Sequence, residues 1–132
     1  MEGSPGTRLT DITDGASQTL MVGERPPPDT YQAGWWYPGF HFSARGHRGP
    51  NGGLVAGAGL YFINDPCTIG KRTFGPGRLD NPCDRNHYWS LHPGGANFLF
   101  ADGSVRFLSY AAEPIIIPLA SINGGEIVQW PE

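Results

Sequence analysis

The run His92-Pro93-Gly94-Gly95-Ala96-Asn97-Phe98-Leu99-Phe100-Ala101-Asp102-Gly103-Ser104-Val105-Arg106-Phe107-Leu108 constrains this chain more than any other stretch. Two segments rich in aromatic and β-branched residues flank an Asp-Gly dipeptide, which is the pattern of a β-hairpin whose turn needs positive φ. A two-residue type I′ turn at Asp102-Gly103 pairs Ala101 with Ser104, Phe100 with Val105, Leu99 with Arg106 and Phe98 with Phe107. Side chains alternate between the faces of a strand, so this register places Phe98, Phe100, Val105 and Phe107 on one buried face.

The rest of the chain must be built around that hairpin with few long regular elements. Twenty Gly and thirteen Pro among 132 residues, in a chain with 12% aromatics, predict many tight turns and irregular loops rather than disorder. The length suits one globular domain over residues 1–132, with a single core. The expected fold is α+β or mainly β: an antiparallel sheet with a C-terminal β-hairpin, long Gly/Pro-rich loops and short helical turns. A net charge of -3 supplies no basic excess, which sets aside nucleic acid and anionic membrane surfaces as partners. No apolar stretch is long enough to span a bilayer, and Met1-Glu2-Gly3-Ser4-Pro5-Gly6 lacks the basic and apolar segments of an export signal.

Along the chain, a turn at Asp14-Gly15 leads into a strand at Thr19-Leu20-Met21-Val22, with Leu20 and Val22 sharing a face. Pro26-Pro27-Pro28 then favours an extended surface connection. Residues 32–42 and 54–63 read as two middle strands, and residues 64–86 as a long loop. Such loops are uncommon without a clamp, and Cys67 and Cys83 fall inside it. There is no Cys-x-x-Cys pair, so a Cys67–Cys83 disulfide is expected in an oxidising compartment, worth about 3 kcal/mol on the entropic model, with two free thiols as the alternative. Tyr88-Trp89-Ser90-Leu91 reads as one more short strand. Ile115, Ile116 and Ile117 favour strand, whereas Pro118 and Asn123-Gly124 favour a helical turn presenting Leu119 and Ile122 to the core.

Four groups of residues carry candidate chemistry, each beside a plainer reading. Asp11, Asp14 and Ser17 cluster near a Gly turn and are a candidate calcium site, since calcium takes hard oxygen ligands; Asp and Ser also fold back on their own backbone in turns. Calcium is the one cofactor the sequence brings into view. His41, His47, His87 and His92 are imidazoles without metal-ligand spacing, and His92 before Pro93-Gly94-Gly95 suits a structural contact at the hairpin entry. Ser90, His92 and Asp102 supply the residue types of a hydrolase triad, but Asp102 belongs to the turn, and no Gly-x-Ser-x-Gly or His-Glu-x-x-His motif is present. Trp35, Trp36, Tyr37, Tyr88 and Trp89 form a candidate ligand surface for a polysaccharide or a protein, against the reading that strand aromatics are core.

A resemblance rests on three stretches in order. His92, nine residues, then Asp102-Gly103, preceded by Gly94-Gly95-Ala96-Asn97, resembles the C-terminal signature of a planctomycete-expanded family of prepilin-type proteins. Asp11-Ile12-Thr13-Asp14-Gly15-Ala16-Ser17-Gln18-Thr19-Leu20-Met21-Val22-Gly23-Glu24 and Leu119-Ala120-Ser121-Ile122-Asn123-Gly124-Gly125-Glu126-Ile127-Val128 fit the same family. The resemblance implies a pilin-like globular head lacking the family's N-terminal helix, located at the cell surface or in the periplasm or extracellular space. It also implies a structural or adhesive role and self-association or pilin-like assembly partners. His92, Asp102 and Gly103 are then structural signature residues, and the reading leans away from an enzyme. A small carbohydrate- or protein-binding module using strand aromatics is the alternative, and a hydrolase ranks third.

Overall fold

The computed structural model describes residues 8–26, 73–81, 83–84 and 87–131. The middle strands expected over 32–42 and 54–63, together with Trp35, Trp36, Tyr37, His41, His47 and Cys67, lie outside the described residues. Three strands, β1 (Leu20–Gly23), β2 (Gly95–Phe100) and β3 (Val105–Ser109), form an antiparallel sheet in the order β1-β2-β3. The chain returns from the distant β1 to place β2 at the centre, and β2–β3 is the C-terminal hairpin. A six-residue 3₁₀ segment, Tyr110–Ile115, runs directly into the single-turn helix α1 (Ile116–Leu119), so the Ile run is helical rather than extended. Two further 3₁₀ turns, Leu9–Asp11 and Ala16–Gln18, precede β1. The architecture is a small antiparallel sheet with short helical turns, as expected.

The hairpin register differs by one residue from the two-residue turn. Phe98 pairs with Arg106 and Leu99 with Val105, while the Phe100 N–H donates to Ser104 O at 2.8 Å and the Gly103 N–H to Phe100 O at 3.0 Å. Ala101, Asp102 and Gly103 thus form a three-residue loop with Gly103 at φ 85°. A one-residue shift turns every β3 side chain over. Phe98, Phe100 and Leu108 are buried, whereas Val105 is 66% and Phe107 52% exposed. The positive φ at Gly103 holds under either turn. Gly103→Val is therefore expected to lower stability by about 1–2 kcal/mol, from left-handed strain alone, because a Cβ there meets no neighbour within 4 Å. Chemical denaturation reads this loss, and an unchanged midpoint would contradict the turn.

A second departure lies in β1. Leu20 opposes Phe100 and Val22 opposes Leu99, so Met21 is the extra residue of a β-bulge. The bulge breaks the alternation: Leu20 is fully buried while Val22 turns outward, instead of the two sharing a face. Gly23 returns to the core side, where a Cβ would lie 2.6 Å from the Phe98 ring.

The core gathers Leu20, Ala96, Phe98, Phe100 and Leu108 from the sheet with Ala112, Ile116, Leu119 and Ala120 from the helical segment. Phe74 and Tyr88 complete it. Phe74 sits edge-on to Phe98 at 5.2 Å and tilted against Tyr110 at 4.9 Å. Tyr88 makes an isolated parallel bridge to Phe74, and the short strand expected at 88–91 does not form. Ile122 is half-buried, contributing less than Leu119.

Candidate functional site

The outward end of β2 is where two of the sequence stretches meet. β1 stops at Gly23, opposite Phe98, so among the described residues no strand meets the Asn97 N–H on that side. The next residue supplies one: Glu24 Oε2 accepts the Asn97 N–H at 2.6 Å, and Oε1 accepts Asn97 Nδ2 at 3.4 Å. His92 Nε2 lies 3.8 Å from the same Oε1, with both side chains partly exposed. The Glu24 carbonyl in turn accepts the Trp89 N–H at 3.2 Å. One residue therefore extends the sheet ladder through its carboxylate and fixes the incoming segment through its backbone.

The loop leading into β2 is closed by Ser90. Its buried hydroxyl donates to Gly95 O at 2.6 Å and accepts the His92 N–H at 2.9 Å. This is the bond that locks the hairpin entry, a role the sequence suggested for the His92 imidazole. At the opposite end of β2, Asp102 Oδ1 accepts both the Ser104 N–H at 2.9 Å and the Ser104 hydroxyl at 2.6 Å. The Ser104 hydroxyl and backbone bonds hold the Asp102 carboxyl below the usual carboxylate range. The strand between His92 and Asp102 is six residues long, or about 20 Å. Ser90, His92 and Asp102 thus do not meet as a triad, and the Ser90 proton is directed at a carbonyl rather than at an imidazole.

The remaining candidates are placed as follows. Asp14 points both carboxylate oxygens at backbone donors of the C-terminal segment, Gly124 N at 2.8 Å and Gly125 N at 2.9 Å. Asp11 Oδ2 accepts the Arg8 N–H at 2.9 Å, and Ser17 lies exposed in the 16–18 turn. Asp11 is thus engaged by its own turn and Asp14 by a distant loop. Among the described residues no group of three or more His, Cys, Asp or Glu is placed to hold a metal ion. His87 is buried with Nδ1 3.8 Å from Asp84 Oδ1.

Tyr88 and Trp89 are buried and offer no exposed ring, which corrects their inclusion in a ligand surface. Tyr88 packs against Phe98 at 5.7 Å, and burial pushes its hydroxyl up to about 12, opposed by the Arg25 guanidinium above its ring. Trp89 fills the space over Gly77, where any Cβ would collide with the indole.

Glu24 and Asn97 are the residues that sequence reasoning passed over, and Ser90 came into view there only as a candidate nucleophile. Glu24 and Asn97 lay inside the quoted stretches, but nothing in their spacing announces that a carboxylate will replace a strand. No helix among the described residues is long and apolar enough to cross a membrane. No curated protein and no solved structure matches the chain. A family model described as "Protein of unknown function (DUF1559)" matches residues 1–114, and thus takes in the Glu24, His92 and Asn97 contacts and the whole sheet. The chain belongs to the DUF1559 family, whose function its own description leaves open.

Proposed function

We propose that this domain is the non-catalytic globular head of a pilin-like protein of the cell surface or periplasm, with a structural or adhesive role and a loop clamped by a Cys67–Cys83 disulfide. The observation that carries the reading is how the signature polar groups are used. Glu24, Asn97 and Ser90 bond to backbone or to one another, His92 lies beside Glu24, and Asp102 bonds to its own turn. Residues used this way specify a fold, whereas a nucleophile needs a base and an orienting group in line.

The outward face of the sheet supports an assembly role. Val22, Leu99 and Val105 form one cross-strand row, with Phe107 beside them; Val22, Val105 and Phe107 are more than half exposed. Contiguous apolar surface of this kind is a feature of association sites. Sedimentation velocity over a wide concentration range should show reversible self-association that Val105→Ser/Phe107→Ser weakens. A strictly monomeric species at every concentration would contradict the reading. Turnover on an ester, glycoside or peptide panel, abolished by His92→Ala in folded protein, would contradict it from the other side.

A further inference from the structure

We infer that Trp130, Arg106 and Asp102 form a binding platform for a neutral saccharide at the tip of the hairpin. None of the three belongs to the outward apolar face, and the inference stands whether or not the domain is part of a pilin-like assembly.

The platform is assembled by the C-terminal segment crossing the end of the sheet. Asp14 grips Gly124 and Gly125, Thr13 N–H and Oγ1 donate to Ile122 O at 2.8 and 3.3 Å, and Val128 packs against the core. This anchoring delivers Trp130 to the Phe100 ring at 6.3 Å, where the residue remains 39% exposed. Arg106 shares the core-side face of β3 with Leu108, and its guanidinium lies over the buried Phe100 ring at 4.3 Å and within 6.0 Å of Trp130. Asp102 Oδ2 stands 3.7 Å from Arg106, with the two side chains about one-third exposed.

Each part has spare capacity. Among the described residues the Arg106 contacts are two rings and one carboxylate oxygen at ion-pair distance, so a fork of N–H donors is fixed in place by stacking yet available for hydrogen bonding. Asp102 Oδ1 is occupied by Ser104, whereas Oδ2 faces Arg106 at a distance that leaves its lone pairs free to accept. An exposed indole beside fixed donors and acceptors matches a pyranose. The C–H face of the sugar stacks on the ring, and its hydroxyls, which donate and accept at once, bridge the Arg–Asp pair. Charge decides between ligand classes. Asp102 balances Arg106 locally, and the chain is net negative, so a carboxylated or sulfated polymer gains little here and a neutral one loses nothing.

The test is titration of the full chain with neutral hexasaccharides of glucose, mannose, xylose and N-acetylglucosamine, with polygalacturonate as the anionic probe, read by calorimetry and tryptophan fluorescence. At least one neutral glycan should bind, with affinity reduced about tenfold or more in Trp130→Ala and partly restored in Trp130→Phe. Arg106→Lys, which keeps the charge but loses the planar fork, should also weaken binding. Circular dichroism checks folding, and if Trp130→Ala does not fold, Trp130→Phe and Arg106→Lys decide the question. The proposal is overturned if no neutral glycan binds in the millimolar range, or if binding survives in folded Trp130→Ala. It is equally overturned if polygalacturonate alone binds and salt abolishes it, or if Trp36→Ala removes binding while the Trp130 and Arg106 variants do not.

Discussion

Phe98→Ala is expected to lower the unfolding free energy by about 3–5 kcal/mol, a large share of what a domain of this size has to lose. Phe98 is 1% exposed, and its ring joins Phe74 and Tyr88 in an edge-on cluster resting on Gly23. Truncation removes the transfer term and leaves a cavity that these stiff rings cannot collapse into. Phe107→Ala, measured at low concentration, is the informative partner because its side chain projects from the opposite face of the sheet. It should shift stability by no more than about 0.5 kcal/mol. A two-residue turn would bury both rings and make the two losses similar, so urea denaturation of this pair separates the registers. Equal effects would refute the three-residue loop.

Glu24→Ala is expected to cost about 1.5–3 kcal/mol, more than its partly exposed position suggests. The loss comes from stranding the Asn97 N–H, which among the described residues has no strand beside it once the carboxylate is gone. Glu24→Gln keeps an acceptor at the same reach and should recover part of the loss. His92→Ala should matter less, since its 3.8 Å contact to Glu24 is half in solvent. Denaturation gives the magnitude, and hydrogen exchange at the Asn97 amide gives the place: protection there should fall in Glu24→Ala ahead of the rest of β2. A variant with unchanged stability and unchanged Asn97 protection would remove Glu24 from this role.

Local chemistry made much of the fold legible. Asp102-Gly103 between two β-rich runs announced the hairpin, Gly15 announced a turn at φ 95°, and Pro118 announced a short helical turn beside the core, although that turn spans Ile116–Leu119 and ends before Asn123-Gly124. The candidate site was legible only in outline. His92, Asp102 and Gly103 were singled out together, but Gly103 and Asp102 serve the turn while His92 serves the far end of the strand. Phe74 shows the limit most plainly. It sits in a stretch with no periodicity, yet it is the buried ring on which Phe98 and Tyr110 meet.

By itself, the sequence determined the turns at Gly15 and Gly103, the strand at Leu20 and the antiparallel C-terminal hairpin, because these follow from φ preferences and side-chain shape within a few residues. Residues 115–117 and 88–91, read as extended, are not strands. Tertiary structure decided which faces are buried. A β-bulge at Met21 and a third turn residue at Ala101 each change strand parity by one, and that choice is made by how the Phe74, Tyr88, Phe98 and Phe100 rings pack beneath the sheet. It also decided what the polar signature residues do. Glu24 and Asn97 stand 73 positions apart, and only the pairing of β1 with β2, which leaves one amide uncovered, gives that carboxylate its place.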